Sequence, residues 1–305
     1  MASGKTIGKP AAKRANWSEW LQQTVFVGPG LIAFIIIVLI PFGMGFYYTF
    51  TEWNGLDLGN AKWTGMTNIT RILTDDPRFW QAFWFTAKFT LAAVTVTNVL
   101  AFLLSLLLTQ NLRSKGVLRT IFFLPNVIGG LLLGYIWYFI FVRGFGAIGE
   151  ATGIGFFKLQ WLGTPETAFW GIVIVFVWQT AGYMMIIYIA AIIGVPKDLM
   201  EAARIDGANR WQILRSILVP LIMPAITICL FLTTSNAFKM FDLNLSLTGG
   251  GPGNSSESIA LNIYREALVN NRYGLGTAKA MLFFFCVALI TITQVWFTKK
   301  REVEA

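Results

Sequence analysis

Six stretches of this chain, residues 25–50, 83–109, 118–142, 168–193, 215–236 and 279–298, are almost continuously apolar. Few folds can accept that pattern. About 20 apolar residues in a helix cross the ~30 Å hydrocarbon core of a bilayer, and within lipid the backbone must satisfy its own hydrogen bonds. Composition agrees: of 305 residues, 55% are hydrophobic and 13% are charged, about half the charge of a globular domain. The expected fold is an all-α membrane protein with six transmembrane helices. It divides into a tail 1–24, a transmembrane domain 25–298 and a tail 299–305. The run 25–50 is too long for a signal peptide and no small-residue cleavage site follows it, so it reads as a retained first helix.

The formal net charge is +9. On a soluble protein that would suggest nucleic acid, but here the basic residues fall on alternate loops. Lys5, Lys9, Lys13 and Arg14 precede the first run. Arg113, Lys115 and Arg119 follow the second, Lys197, Arg204, Arg210 and Arg215 follow the fourth, and Lys299, Lys300 and Arg301 follow the last. The other loops, 51–82, 143–167 and 237–278, are longer and less basic. Lysine and arginine concentrate on cytoplasmic loops, which places both termini in the cytoplasm and leaves no role for nucleic acid. Trp17, Trp20, Trp161, Trp170 and Trp296 lie near run ends, where interfacial anchors belong.

Catalysis within the chain is not expected. It has no histidine, the commonest general base and metal ligand. Cys229 and Cys286 lie in apolar runs and read as small buried hydrophobes. No other residues have metal-ligand spacing or form a nucleophile–base set. The apolar runs also lack carboxylates, which argues against a proton-coupled secondary transporter.

Residues 196–215 interrupt this apolar text with carboxylates, arginines and small side chains. Pro196 suits a first helical turn, and Asp198 and Glu201 are favourable near a helix N-terminus. Leu199, Ala202 and Ala203 share one face. Gly207 ends that helix, and Asn209 can cap a second one. A helix–break–helix of this kind fits an amphipathic loop resting on lipid. It fits equally a short helix entering a groove on a soluble partner.

The spacing Glu201-Ala202-Ala203, then Gly207, then Ile217, Val219 and Pro220 resembles the EAA signature of bacterial ABC importer permeases, with Val219 in place of leucine. Val195-Pro196 ahead of it agrees. Leu247-Thr248-Gly249-Gly250-Gly251-Pro252-Gly253-Asn254 resembles the LTGGGP element of carbohydrate permeases, as does the wording Ile205-Asp206-Gly207-Ala208. This glycine-rich stretch is not a phosphate loop, because no Gly-Lys-Ser/Thr follows it.

The resemblance extends from about residue 25 to the end and is to the core of the larger maltose permease subunit, without its additional N-terminal helices or large external domain. It implies a type I ABC importer permease fold with a cytoplasmic coupling helix in 196–215. There Glu201, Ala202, Ala203, Asp206 and Gly207 would meet an ATPase, Glu201 by a polar contact and Gly207 as the turn. It also implies a bacterial cytoplasmic membrane, a second homologous permease subunit, an ATPase dimer and an external solute-binding protein. ATP and magnesium would belong to the ATPase; this chain would hold no cofactor and hydrolyse nothing.

Polar side chains inside spans are costly and point to function, although interhelical hydrogen bonding uses them too. Asn98, Asn126, Gln179, Thr180, Tyr183, Thr233, Thr234, Ser235 and Asn236 qualify. The resemblance selects among them for a sugar site. It points to Asn126 and Gly130 after Leu124-Pro125, and to Gln179, Thr180 and Tyr183 after Trp178. It adds Thr233, Ala237 and Met240 ahead of the glycine-rich element. Gly130, Ala237 and Met240 depart from the family's residue types, and Asn236 and Lys239 stand close by as polar replacements. The expected function is one transmembrane subunit of an ATP-driven importer for an oligosaccharide or glycoside. Permeases for glycerol phosphate share both motifs, and a secondary transporter is the rival of a different class.

Overall fold

A computed structural model describes residues 17–56 and 60–300, with side chains from residue 24 onward. The basic residues Lys5, Lys9, Lys13, Arg14 and Arg301 and the side chains of Trp17 and Trp20 lie outside the described residues. The described chain is a helical bundle with one antiparallel strand pair, Thr51–Glu52 against Lys62–Trp63. Five helices are long and apolar enough to cross a membrane: Thr24–Thr49, Pro77–Leu108, Gly130–Thr152, Pro165–Gly194 and Tyr273–Lys299. A sixth span is a broken pair, Arg210–Leu221 and Met223–Phe238, bent by 71°. Numbered in chain order, the broken pair is the fifth span and Tyr273–Lys299 the sixth.

The third and fifth spans differ from the continuous helices expected over 118–142 and 215–236. In the fifth, Pro224 has no N–H to offer the carbonyl of Pro220, and its ring crowds that carbonyl. The helix therefore gives way at Ile222, between the two prolines. In the third, helix Lys115–Phe123 ends in a tight turn over Leu124–Val127, and Ile128 and Gly129 are extended. The span restarts at Gly130. Both breaks are built mostly from apolar residues, so hydropathy passes over them. The second and fourth spans begin earlier than their apolar runs, at Pro77 and Pro165, because a proline at the first helical position follows a capping side chain. Asp76 accepts from the amide of Phe79 at 2.9 Å, and Thr164 accepts from that of Thr167 at 3.2 Å.

The fourth span is the axis of the bundle. Two-thirds of its apolar stretch (67%) is buried, against 33% for the second span and 0% for the first. Phe89, Leu133, Phe141, Ile172 and Phe176 form one core between the second, third and fourth spans. Ala101, Leu108, Met184, Met185, Tyr188 and Cys229 form another, which draws in the fifth. Gly182 allows the tightest crossing: a Cβ there would land on the carbonyl of Phe122, so helix Lys115–Phe123 meets the fourth span backbone to backbone. The outside is apolar, as a lipid-facing surface must be, with Phe26, Ile37, Leu91, Leu289 and Ile292 all exposed.

The segment 237–278, expected as an outer loop, is largely folded into the bundle. Its short helix Asp242–Leu247 lies alongside the start of the third span. A Cβ on Gly134 would strike the Ser246 side chain, and one on Gly130 would lie 3.1 Å from the Cβ of Asp242. Small residues at four-residue spacing permit this approach, as they do between membrane helices generally. The glycine-rich turn is closed on itself. Arg265 donates to the carbonyl of Gly249, to Glu257 Oε1 (2.8 Å) and to Asn254 Oδ1 (3.2 Å). Asn244 donates to the carbonyl of Ser256 and accepts from the amide of Ser258, each at 2.8 Å. The amides of Gly250 and Gly251 bond to Thr248, so they serve the turn and not a phosphate.

A buried charge cluster fastens this segment down. Lys279 is 0% exposed. Its Nζ lies 2.7 Å from both Asp76 Oδ2 and Glu266 Oε2 and donates to Asn262 Oδ1 at 3.1 Å. One cation thereby joins the start of the second span, the segment 259–269 and the sixth span.

Candidate functional site

Residues 197–213 form the helix–break–helix that the sequence predicts, with the first helix largely exposed. Helix Lys197–Ile205 ends with Gly207 in a left-handed conformation, φ 83°. The amide of Ala208 bonds to the carbonyl of Ala203 (2.9 Å) and that of Gly207 to Arg204 (3.1 Å), the paired bonds of a glycine-terminated helix. The next helix is capped reciprocally. The amide of Gln212 donates to Asn209 Oδ1 at 2.9 Å, and the amide of Asn209 donates to Gln212 Oε1 at 2.7 Å. Two rigid pieces thus meet at one elbow.

Glu201, Ala202, Asp206 and Gly207 are all exposed, and Ala203 is half-buried. Of the expected apolar face, Leu199 and Ala202 stay exposed; the inward anchor is Met200. Met200 and Leu214 pack on the cluster Ile192, Val195, Leu218 and Ile222, beside Leu106 of the second span and Ile226 of the fifth. Ile222 is the break in the fifth span and is 1% exposed. Direct side-chain packing therefore connects the exposed helix to the joint of a bent membrane helix. Ile205 (86% exposed) and Trp211 (67%) flank the elbow, and large bare apolar groups beside a carboxylate suit a protein partner more than water.

The residues expected to meet a sugar fall into two groups. Thr180, Thr233, Ala237 and Met240 are buried within the chain. Thr233 donates to the carbonyl of Cys229 (2.7 Å) and accepts from Asn98 Nδ2 (3.3 Å), while Asn98 Oδ1 accepts from Tyr188 Oη (2.9 Å). Thr180 donates to the carbonyl of Phe176 (2.7 Å) and lies 3.5 Å from Thr97. These polar groups tie the second, fourth and fifth spans together, and none faces open space.

Asn126, Gly130 and Gln179 are half-buried, and Tyr183, Asn236 and Lys239 are exposed. Gln179 donates from Nε2 to the carbonyl of Ile128 at 2.9 Å. That bond fixes the irregular turn carrying Asn126 and Gly130 against the middle of the fourth span. The extended backbone at Ile128 left a carbonyl free of helix bonding, and Gln179 satisfies it. One turn along the same helix Tyr183 is exposed, and beside Gln179 lies Trp178, edge-on to Trp137 with centroids 5.4 Å apart. Gln179 and Tyr183, one turn apart, thus share a face of the fourth span with the turn that carries Asn126 and Gly130. Sequence reasoning missed Asp242, which the fold brings beside Gly130. A signal was present: Leu243 and Leu247, four apart, mark a helix where the loop was drawn.

Replacing both Gln179 and Tyr183 with alanine should lower solute uptake about tenfold or more while the complex still assembles, since each loses one or two polar contacts worth about 1 kcal/mol. Uptake by the double variant at the wild-type rate would remove this face from the path.

Known proteins resemble the chain along nearly its whole length. A probable starch degradation products transport system permease protein of Thermoanaerobacterium thermosulfurigenes is 49% identical over 96% of this chain and 99% of its own length. A multiple sugar-binding transport system permease protein of Streptococcus mutans is 33% identical over 98% and 100%. A trehalose/maltose transport system permease protein of Thermococcus litoralis is 31% identical over 88% and 90%. Among solved structures, a chain of a bacterial ABC transporter involved in import of the acidic polysaccharide alginate superposes with a TM-score of 0.79 at 22% identity, covering 93% of this chain and 96% of that one; this likeness shows the fold. Residues 98–303, which contain the broken fifth span and the whole exposed elbow, match the family model, and the chain belongs to the binding-protein-dependent transport system inner membrane components.

Proposed function

We propose that this chain is one of two transmembrane subunits of an ATP-driven importer for neutral oligosaccharides of the starch-fragment type, set in a bacterial cytoplasmic membrane with both termini inside. The observation that carries the reading is the packed connection from the exposed elbow at Gly207, through Met200 and Leu214, to the break at Ile222. Such a lever has a use only if something outside the membrane moves it. A separate ATPase dimer, holding the ATP and magnesium, would close on binding nucleotide and press helix Lys197–Ile205 through Glu201 and its neighbours. The joint at Ile222 would swing Met223–Phe238 and turn the polar face around Asn126, Gln179 and Tyr183 outward. An external binding protein would then deliver sugar there, and hydrolysis would reset the path inward. The identity and near-complete coverage of the starch-fragment relative support the substrate class.

Reconstitution with the second permease subunit, the ATPase and the binding protein tests this. Uptake of maltotriose that requires hydrolysable ATP is the expected result. Uptake that persists without the ATPase and follows an ion gradient would make the chain a secondary transporter. Uptake of glycerol 3-phosphate in place of maltotriose would redirect the substrate.

A further inference from the structure

The structure assigns Asp242 a part in selecting the solute: its carboxylate is a hydrogen-bond acceptor for a pair of sugar hydroxyls in the translocation path. This rests on the importer reading above and deepens it. Gln179 stands 14 residues after the first residue of the fourth span and 15 before the last, about 21 Å from either end at 1.5 Å per residue. Its amide holds the carbonyl of Ile128, and two residues on, Gly130 lies against Asp242. Asp242 is therefore near the middle of the membrane.

It is also exposed, and its carboxylate has no hydrogen-bond or ion-pair partner among the described residues. A bare carboxylate at that depth is costly unless it faces a water-filled cavity. The largely buried carboxylates Asp76 and Glu266 are paired with Lys279, and Glu257 with Arg265. Asp242 differs in being left open, and the fold keeps it so. A Cβ on Gly130 would lie 3.1 Å from the Asp242 Cβ and 3.9 Å from Oδ2, so any larger residue at 130 would wall the carboxylate in.

The chemistry follows from the groups around it. A carboxylate offers acceptors only and takes two adjacent O–H donors at once, and such charge-assisted bonds are about twice as strong as neutral ones. Asn126 and Gln179 lie on the segments packed around it, and Tyr183 is one turn further along the fourth span. That set suits a neutral polyol. A uronate or phosphate would meet Asp242 as a like charge.

The test is transport stoichiometry in proteoliposomes of the complete complex, using labelled maltotriose. Asp242→Asn keeps the shape and one acceptor. It should leave binding-protein-stimulated ATP hydrolysis within about twofold of wild type and lower maltotriose uptake roughly tenfold, so that sugar carried per ATP falls. Asp242→Glu, which restores the charge, should recover part of that loss. Unchanged sugar per ATP in Asp242→Asn overturns the assignment, and so does a parallel fall in hydrolysis and uptake, which marks a structural role. Wild-type complex that hydrolyses ATP without carrying maltotriose overturns the sugar reading itself, and the role of Asp242 with it.

Discussion

Glu201→Lys should abolish ATP-dependent uptake while the protein still inserts and folds. Glu201 is exposed on a helix that touches the rest of the chain mainly through Met200, so the fold has no stake in its charge. At an interface the reversal is severe. Losing one partner of a hydrogen-bonded charge pair costs about 2–5 kcal/mol, and a lysine adds repulsion wherever glutamate met a cation. Each 1.4 kcal/mol is about tenfold, so ATPase association should weaken by about 30-fold or more. Co-purification of the ATPase with the membrane subunits measures this directly, with uptake as the functional readout. A Glu201→Lys protein that retains its ATPase and transports normally would show that residues 197–205 rest on lipid and dock nothing.

The second large effect concerns stability. Lys279→Met leaves Asp76 and Glu266, whose side chains are only 15% and 12% exposed, without the cation they share, and Glu266 keeps only the longer 3.5 Å contact with Arg272. Breaking a buried ion pair from one side costs about 3–5 kcal/mol, whereas removing all the charges together can be nearly neutral. The single variant should therefore lose a large part of its thermal stability in detergent or nanodiscs. The triple variant Lys279→Met, Glu266→Gln, Asp76→Asn should recover most of it. A single variant that melts with the wild type would mean the cluster is solvated and structurally idle. The cluster ties the second and sixth spans to residues 259–269.

The exposed elbow was legible in the sequence almost residue by residue. Gly207 as terminator and Asn209 as cap are local choices, made by φ preference and by a side chain bonding three residues along. Only the inward face of the first helix differed, because Met200 was chosen by a pocket formed from distant residues. Which polar groups face open space was less legible. Asn98, Thr180 and Thr233 look the same in the sequence as Asn126, Gln179 and Tyr183: each is a polar group in an apolar run. Whether such a group ties helices together or faces open space depends on which side of its helix meets a neighbour.

By itself the sequence determined that this chain lives in a membrane, crosses it about six times and carries an exposed helix–elbow–helix between its fourth and fifth apolar runs. Those features follow from hydropathy, charge bias and short-range backbone preference, all of which act within a few residues. The tertiary structure alone decided where the third and fifth spans break and that the segment from Asp242 returns into the bundle. It also decided that Lys279 pairs with two carboxylates and that Asp242 lies exposed beside Gly130. Each of these is a contact between segments far apart in the chain, set by close approach at Gly130, Gly134 and Gly182 and by the need of every buried charge and carbonyl to find a partner.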